Sequence, residues 1–335
     1  GGPISLVAGG PNCQGVSERG LRNPDDPRNV MFPEYARLIS EIRPRAFIME
    51  NVPDALNVGG VNVMHETADA LTVMGYVARY GMLNSAHYGV PQTRERAFLI
   101  AVREEFGFIP SLPAPTHGIS LGGGYGAIRA NALKGKAVDD PYYSEVERPG
   151  TGAAGFKKFI SVEEALSDLA VLIPSPSSRS LHASLPYRCS VQNEYQELMR
   201  SADLPEVSAH VTRYLPRDHE TFRRMKSGAE YPHAHAVALE ILEERAAERG
   251  ITREANPIEW ETLKKGIVPP YATDKFSSKW WKMAPDMPSK TLLAHLGKDG
   301  YSHLHYSDQG RTISVREAAR LQGFRDDFIF RCSMG

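Results

Sequence analysis

A single cysteine follows a short apolar run near the start of the chain. Residues 4–8, ISLVA, are predicted to form a buried strand, and GGPNCQGVS at 9–17 continues it as a glycine-rich turn. In open α/β sheets, ligands bind at the carboxyl ends of the strands. Cys13 on such a turn could act as a nucleophile if nearby donors or positive charge favour its thiolate form. An isolated free cysteine is more often a buried packing residue, so this hypothesis depends on neighbouring groups.

A glutamate closes the next apolar run. The segment IMENV at 48–52 ends a second predicted strand, which begins at residue 46. Neighbouring parallel strands place their carboxyl ends side by side, so Glu50 is expected at the same sheet edge as Cys13. A carboxyl group there could exchange a proton with a ring nitrogen of a ligand. Taken alone, Glu50 is better explained as a solvated glutamate at the start of a loop.

A glutamine and two arginines alternate at the start of a later apolar run, QTRERAFLIAV at 92–102. Because successive side chains of a strand point to opposite faces, Gln92, Arg94 and Arg96 would all face one side. Two guanidinium groups on one face suit the recognition of phosphate or carbonyl oxygens. The alternative explanation is a solvated basic edge of a strand.

The elements that must position these residues are short strands that alternate with helices. Apolar residues recur at helical spacing over 32–42 and 63–74, and strands are predicted at 46–49, 77–83 and 97–102. Strands that alternate with helices favour an α/β fold with a parallel sheet and crossover helices.

The character of the chain changes after residue 110. Residues 111–160 contain many glycines and prolines and are predicted to be loop or linker, and 175–275 is predicted to be a second domain. Regular structure returns with a strand at 289–296 and the helical segment SVREAARLQGF. There Ser314 and Glu317 have the spacing of a capping box at a helix N-terminus.

Composition narrows the class of protein. The 335 residues carry a formal net charge of -1, and no apolar stretch reaches the 18 residues that a membrane-spanning helix needs. The three cysteines are too widely spaced for a disulfide framework or a CxxC metal site, which favours a reducing, cytoplasmic compartment. The histidines of 182–235 lack a cysteine partner or an HxxxH on a clear helix, so no metal site is expected.

In this order, the motifs resemble those of the DNA cytosine-5 methyltransferases. That family shares a cysteine loop, an ENV strand end, a QxRxR strand and a late REAARLQ helix. This sequence has GGPNCQG at 9–15, ENV at 50–52, QTRER at 92–96 and REAARLQ at 316–322. The resemblance is good over 1–118 and 279–330 and weak over 160–170.

The resemblance implies a Rossmann-like, S-adenosylmethionine-dependent methyltransferase sheet with a smaller target-recognition domain. Residues 1–118 would be part of the catalytic domain, 119–174 a linker and helix, 175–285 the target-recognition region, and 286–335 a return to the catalytic domain. The family's FxGxGG-type loop and its GNxV motif are not in this sequence. The sheet is therefore expected to be incomplete at its N-terminal side.

The resemblance also implies a role for each candidate residue. Cys13 would add to carbon 6 of a flipped-out cytosine in duplex DNA, and Glu50 would hydrogen-bond ring N3. Arg96 would contact the carbonyl oxygen of the base, with Arg94 supporting it or a phosphate.

The remaining assignments concern the cofactor and DNA. Asn12, where the family usually has a proline, and Met31 are expected beside S-adenosylmethionine, whereas Ser17, Arg28 and Gln92 are expected to contact DNA. In the target-recognition region, arginines and tyrosines could read guanine edges or bind phosphates; they are Arg179, Arg188, Arg213, Arg217, Arg223, Arg224, Tyr187, Tyr195, Tyr214 and Tyr231.

Other interpretations of the sequence stay open at this point. A tRNA cytosine-5 methyltransferase would use the same cysteine chemistry, and a catalytically inactive DNA-binding fragment would explain the absent cofactor motifs. A split or permuted enzyme would have those motifs on a second chain. A cognate restriction endonuclease is a further partner to consider, and no membrane partner is expected.

Overall fold

The computed structural model describes residues 4–11, 31–122, 124–137, 139–176, 183–201, 204–275, 279–293 and 300–331. They form two compact units, the first from 1–89 and 94–159 and the second from 90–93 and 160–335. These boundaries differ from the predicted ones at 118, 174 and 285. The assignment of target recognition to 175–285 stays a prediction.

Ten strands and nine helices occur in the described ranges. The strands are β1 (Leu6–Gly9), β2 (Ala46–Asn51), β3 (Tyr76–Asn84), β4 (Gln92–Thr93), β5 (Glu95–Arg103), β6 (His117–Gly118), β7 (Lys157–Lys158), β8 (Ser184–Pro186), β9 (Glu206–Ser208) and β10 (Ser289–Lys290). The helices are α1 (Met31–Ile42), α2 (Val63–Val73), α3 (Gly124–Leu133), α4 (Val162–Leu166), α5 (Glu194–Met199), α6 (His219–Arg224), α7 (Tyr231–Glu248), α8 (Pro257–Ile267) and α9 (Val315–Leu321). None of these helices has the length and apolar character that a membrane crossing requires.

The first unit is built on a four-stranded sheet with the order β1-β2-β5-β3. Strand β1 is parallel to β2, as expected, but β5 runs antiparallel to both β2 and β3. The prediction of a parallel sheet is therefore wrong, and the sheet is mixed. The physical reason lies in residues 85–94, which join β3 to β5 without a crossover helix. A parallel pair needs a crossover of a dozen or more residues, whereas a short connection returns the chain antiparallel.

The core of the first unit lies between this sheet and its helices. Phe47 and Met49 of β2 are almost fully buried, together with Leu99 of β5, and Ile39 of α1 packs into the same cluster. The alternating buried and partly exposed positions of β2 leave Glu50 at the surface of the sheet. Packing of this strand therefore fixes where the candidate carboxylate emerges.

Residues 119–174 contain more regular structure than a linker. Helix α3 occupies 124–133, and its Ala132 and Arg129 are buried. The prediction of loop or linker is wrong for 124–133, because four glycines within 122–126 and a nearby Pro-rich run masked a helical pattern. The prediction of a helix after residue 161 is confirmed by α4.

The second unit contains a buried ion-pair network around Arg320 of α9. Asp168, fully buried, accepts hydrogen bonds from Arg320 Nη1 at 2.5 Å and from Arg200 Nε at 2.7 Å. Asp326 accepts from Arg320 Nη2 at 2.6 Å. The predicted capping box of Ser314 and Glu317 is confirmed at the start of α9. The REAARLQ segment is therefore a structural core of this unit.

The strand predicted over 289–296 is shorter in the structure. Only Ser289–Lys290 forms a strand, β10, which pairs in parallel with β4. Residues 294–296 lie outside the described residues.

Two buried histidines predict that the second unit loses stability in mild acid. Burial lowers the pKa of His303 to about 4 and that of His305 to about 3 from an ordinary value of 6.5. Below pH 6.5 the unfolded chain takes up protons that the folded protein does not, so the free energy of unfolding falls as pH is lowered. Each histidine is expected to contribute a loss of about 2 kcal/mol between pH 7 and pH 5.

Urea denaturation at the two pH values measures this effect. His303→Gln should remove about 2 kcal/mol of the loss, and His235→Gln, at a partly exposed position, serves as the comparison. Equal free energies of unfolding at pH 7 and pH 5 for the wild-type protein would contradict the prediction.

Candidate active site

Glu50 and two arginines meet at the end of strand β2. The Glu50 carboxylate oxygen Oε1 lies 3.0 Å from Arg96 Nε and 3.7 Å from Arg94 Nη2. The Glu50 side chain is 37% exposed and that of Arg96 16%, so the pair is partly shielded yet open to a ligand. The structure thus brings together three of the four residues predicted to be catalytic.

The beginning of the cysteine loop lies against the same carboxylate. A Cβ atom on Gly10 would be 3.2 Å from Glu50 Oε2, so the glycine allows the backbone to approach closely. Asn51 donates a hydrogen bond from Nδ2 to the carbonyl oxygen of the buried Pro11 at 3.3 Å. Its Oδ1 accepts from Val52 N at 2.8 Å. The asparagine therefore holds the loop start beside the glutamate.

Five predicted site residues fall where the structure gives no side-chain description. Cys13, Asn12, Ser17 and Arg28 lie outside the described residues. Met31 is the first residue of α1, and its side chain is not among those described. Their roles stay predictions.

Gln92 has different surroundings from those expected. It does not belong to β5 but to the short strand β4, and its buried side chain forms hydrogen bonds with backbone groups. Nε2 donates to the Leu321 carbonyl at 2.9 Å, and Oε1 accepts from Leu292 N at 3.1 Å. The expectation that it shares a strand face with the two arginines is therefore wrong. A role in DNA contact for Gln92 stays a prediction that these bonds do not support.

The two residues predicted to contact the cofactor, Asn12 and Met31, have no described side chains. Tyr35 of α1 has a buried hydroxyl that forms no hydrogen bond with the described residues, and it lies so close to Gly9 that a Cβ there would overlap it. Burial raises the pKa of this hydroxyl. One such hydroxyl does not match the carboxylate, ammonium, ribose and adenine groups of S-adenosylmethionine. Within the described ranges, the residues do not fit that cofactor, and we assign none of them to it.

Several of the predicted target-recognition residues have structural contacts. Tyr187 donates to Asp326, Tyr195 to the Arg320 carbonyl, and Tyr231 to the Tyr271 carbonyl. Arg224 pairs with Glu220 and Glu244, while Arg179 lies outside the described residues. These tyrosines thus stabilise the second unit.

A basic cleft also occurs in this region. It has a volume of about 550 Å³ beside α8, and its lining includes Arg217, Lys264, Lys265 and Tyr271. Arg217 is oriented by a bidentate pair with Asp218, at 2.6 and 2.9 Å. No cluster of three potential metal ligands occurs among the residues that the structure describes.

Two residues near the site were not predicted from the sequence. Asn51 belongs to the ENV motif, but no role was predicted for it. Its signal in the sequence was the tendency of asparagine side chains to hydrogen-bond nearby backbone groups. Glu95 lies between the two arginines, and its carboxylate is buried and paired with Arg129 at 2.8 Å. The position of Glu95 between Arg94 and Arg96 could have predicted this, because side chains alternate between the two faces of a strand.

Comparison with known proteins decides the family. The model for C-5 cytosine-specific DNA methylases matches residues 3–119. A protein of Oceanobacillus iheyensis named as a type II methyltransferase is 36% identical over 98% of this chain and 74% of its own length. The chain belongs to the C-5 cytosine-specific DNA methyltransferases.

Further relatives of this methyltransferase come from bacteria and plants. A type II methyltransferase of Thalassovita gelatinovora is 28% identical over 98% of this chain and 77% of its own length. The Zea mays DNA (cytosine-5)-methyltransferase 2 is 27% identical over 97% of this chain and 36% of its own.

A solved structure supports the methyltransferase fold. The crystal structure of a protein described as a DNA modification methyltransferase encoded within a prophage (E. coli) has a TM-score of 0.60. The match covers 99% of this chain and 72% of the chain in that crystal structure. The sequence identity is 19%, so the likeness concerns the fold alone.

Proposed function

We propose that this methyltransferase modifies carbon 5 of cytosine in duplex DNA through a covalent adduct with Cys13. The observation that carries the proposal is the carboxylate of Glu50, held by Arg96 and Arg94 beside the first residues of the cysteine loop. S-adenosylmethionine would supply the electrophilic methyl group. Membership of the methyltransferase family supports S-adenosylmethionine as the methyl donor.

Cysteine chemistry is needed because carbon 5 of cytosine is a poor nucleophile. Addition of the Cys13 thiolate to carbon 6 forms an S–C6 bond and shifts the ring's double-bond electrons, which leaves carbon 5 electron-rich. A proton held between Glu50 and ring N3 offsets the negative charge that develops at the nitrogen. After methylation, carbon 5 loses its proton, the S–C6 bond breaks, and the thiolate leaves.

The arginines have two functions in this mechanism. Arg96 Nε contacts Glu50 Oε1, which fixes the direction of the carboxylate, and Nη1 donates to the Glu95 carbonyl at 2.6 Å. The guanidinium held in this way would contact a carbonyl oxygen of the base. Arg94, one third exposed and 3.7 Å from the same oxygen, is placed to bind the base or a phosphate. A base stacked in a duplex cannot reach these groups, so the cytosine must be flipped out.

Loss of the Glu50 carboxyl group should slow the chemical step. Glu50→Gln keeps the size of the side chain but cannot hold a transferable proton at ring N3, so we expect methyl transfer to slow by about 10²–10³-fold. Single-turnover transfer to a duplex measures it. Glu41→Gln is a control, because Glu41 is exposed on α1 and pairs with Arg37 at the surface. A Glu50→Gln rate within about threefold of wild type would refute the role of Glu50.

Duplex DNA as substrate is supported by the family and by the basic cleft at Lys264 and Lys265. Bisulfite sequencing of DNA from cells that express the full-length gene tests the activity and gives the target sequence. Purified protein is then used to compare methyl transfer to duplex DNA with methyl transfer to tRNA. Methylation of tRNA alone would replace this proposal with the RNA alternative.

A biological role in restriction–modification is supported by the names of the bacterial relatives, which are type II methyltransferases. Methylation by this protein would then protect a specific DNA site from a cognate endonuclease. DNA from expressing cells should resist the endonuclease that cuts at the sequence found by bisulfite sequencing.

A further inference from the structure

Glu95 lies between the two arginines of the candidate site but faces away from it. Arg94 and Arg96 contact the Glu50 carboxylate, whereas the Glu95 carboxylate, 8% exposed, is on the opposite side of the chain. There it accepts hydrogen bonds from Arg129 Nη1 at 2.8 Å and from Asn84 Nδ2 at 3.2 Å. The backbone that carries both active-site arginines is thus attached at its back to helix α3.

Arg129 of α3 connects two acidic residues. Its side chain is 4% exposed, and Nη2 donates to Glu145 at 2.7 Å and to the Tyr143 hydroxyl at 3.4 Å. A planar guanidinium can satisfy two carboxylates in fixed directions, which a lysine cannot do. A buried cation with two anionic partners is held in one position, since leaving either side unpaired is costly.

The same helix also contacts the segment that follows Glu50. A 3₁₀ helix at Pro53–Leu56 comes directly after the ENV motif, and α3 packs against it. Asn57 Nδ2 donates to the Asn131 carbonyl at 3.2 Å. Gly135, just after α3, is so close that a Cβ there would overlap the Leu56 carbonyl oxygen. One helix therefore contacts both chain segments that present the catalytic groups.

We propose that Arg129 is a positioning residue, which keeps Arg94 and Arg96 in register with Glu50 through its pair with Glu95. The proposal rests on the proposed methyltransferase function, because its effect is on the chemical step. A small displacement of the arginines would misorient the carboxylate and the base. Positional errors of about 1 Å are enough to slow a reaction by up to about a hundredfold.

Single-turnover methyl transfer and the Kd for duplex DNA separate positioning from binding. We expect Arg129→Met to slow transfer by at least about tenfold, and Arg129→Lys by about three- to tenfold, because lysine keeps a charge near Glu95 but loses the second carboxylate. The Kd should change by less than about twofold in both. Arg37→Met is the control in the same unit, because Arg37 is half exposed on α1 and pairs with the exposed Glu34 and Glu41, and its rate should equal that of wild type.

Circular dichroism at the assay temperature first establishes which variants are folded. If Arg129→Met does not fold, Arg129→Lys and Glu95→Gln decide, because the latter weakens the pair between Glu95 and Arg129 and should also slow transfer. If the wild-type protein is active and the folded variants transfer methyl groups at the same rate, Arg129 is not a positioning residue, while the proposed function stands. A slower rate matched by an equal rise in Kd would also overturn it. Absence of methyl transfer by the wild-type protein would overturn both.

Discussion

Cys13→Ser is expected to lower methyl transfer to duplex DNA by at least about a thousandfold. A serine hydroxyl is a much weaker acid than a thiol and a poorer nucleophile, so addition to carbon 6 of cytosine becomes negligible. Without that bond, carbon 5 does not become electron-rich and cannot accept a methyl group. Single-turnover transfer to a duplex with the sequence found by bisulfite sequencing measures the effect.

The chain provides a matched control for this substitution. Cys189 is an exposed free cysteine of the second unit, and Cys189→Ser changes the same atom at a position without a proposed role. Its rate should equal that of wild type, and DNA binding by Cys13→Ser should persist. If Cys13→Ser kept more than about a tenth of the wild-type rate, Cys13 would not be the nucleophile.

Asp168→Ala is expected to destabilise the second unit by about 3–5 kcal/mol. Asp168 is fully buried and is the shared partner of Arg320 and Arg200, at 2.5 and 2.6 Å. Its removal leaves a buried guanidinium without one of its two carboxylates, and desolvation of that charge is then poorly compensated. The free energy of unfolding, taken from urea denaturation, measures the loss.

An exposed ion pair of the same unit serves as the comparison. Asp327 is 47% exposed and lies 3.4 Å from Arg325, so Asp327→Ala should cost less than about 1 kcal/mol. A loss below about 1 kcal/mol for Asp168→Ala as well would show that the buried network contributes little to stability.

Local patterns in the sequence predicted several elements near their observed bounds. The apolar spacing from Phe32 to Ile42 predicted α1, and the capping-box spacing of Ser314 and Glu317 marked the start of α9. The parallel pairing of β1 and β2 was also confirmed. These features depend on residues that are near one another in sequence, or on a rule for adjacent strands, so they need no knowledge of tertiary contacts.

The errors arose where distant residues decide the structure. Gln92 was expected to continue β5, but its side chain is held by Leu292 and Leu321, which are far along the chain. Helix α3 was missed because its glycine-rich start has low helix propensity, while burial of Arg129 against Glu95 stabilises it. The grouping of Glu50 with Arg94 and Arg96 followed from the predicted motifs, whereas the position of Asn51 on Pro11 became visible only in the structure.

A duplex with 5-fluorocytosine at the target position would trap the covalent adduct at Cys13. After thiolate addition and methylation, carbon 5 carries fluorine in place of the proton that must leave, so the S–C6 bond cannot be released and the complex accumulates. With S-adenosylmethionine present, we expect a protein–DNA complex that survives denaturation, maps to Cys13 by mass spectrometry and is absent for Cys13→Ser. Normal methylation of the unmodified duplex, with no trapped complex on the fluorinated one, would contradict it.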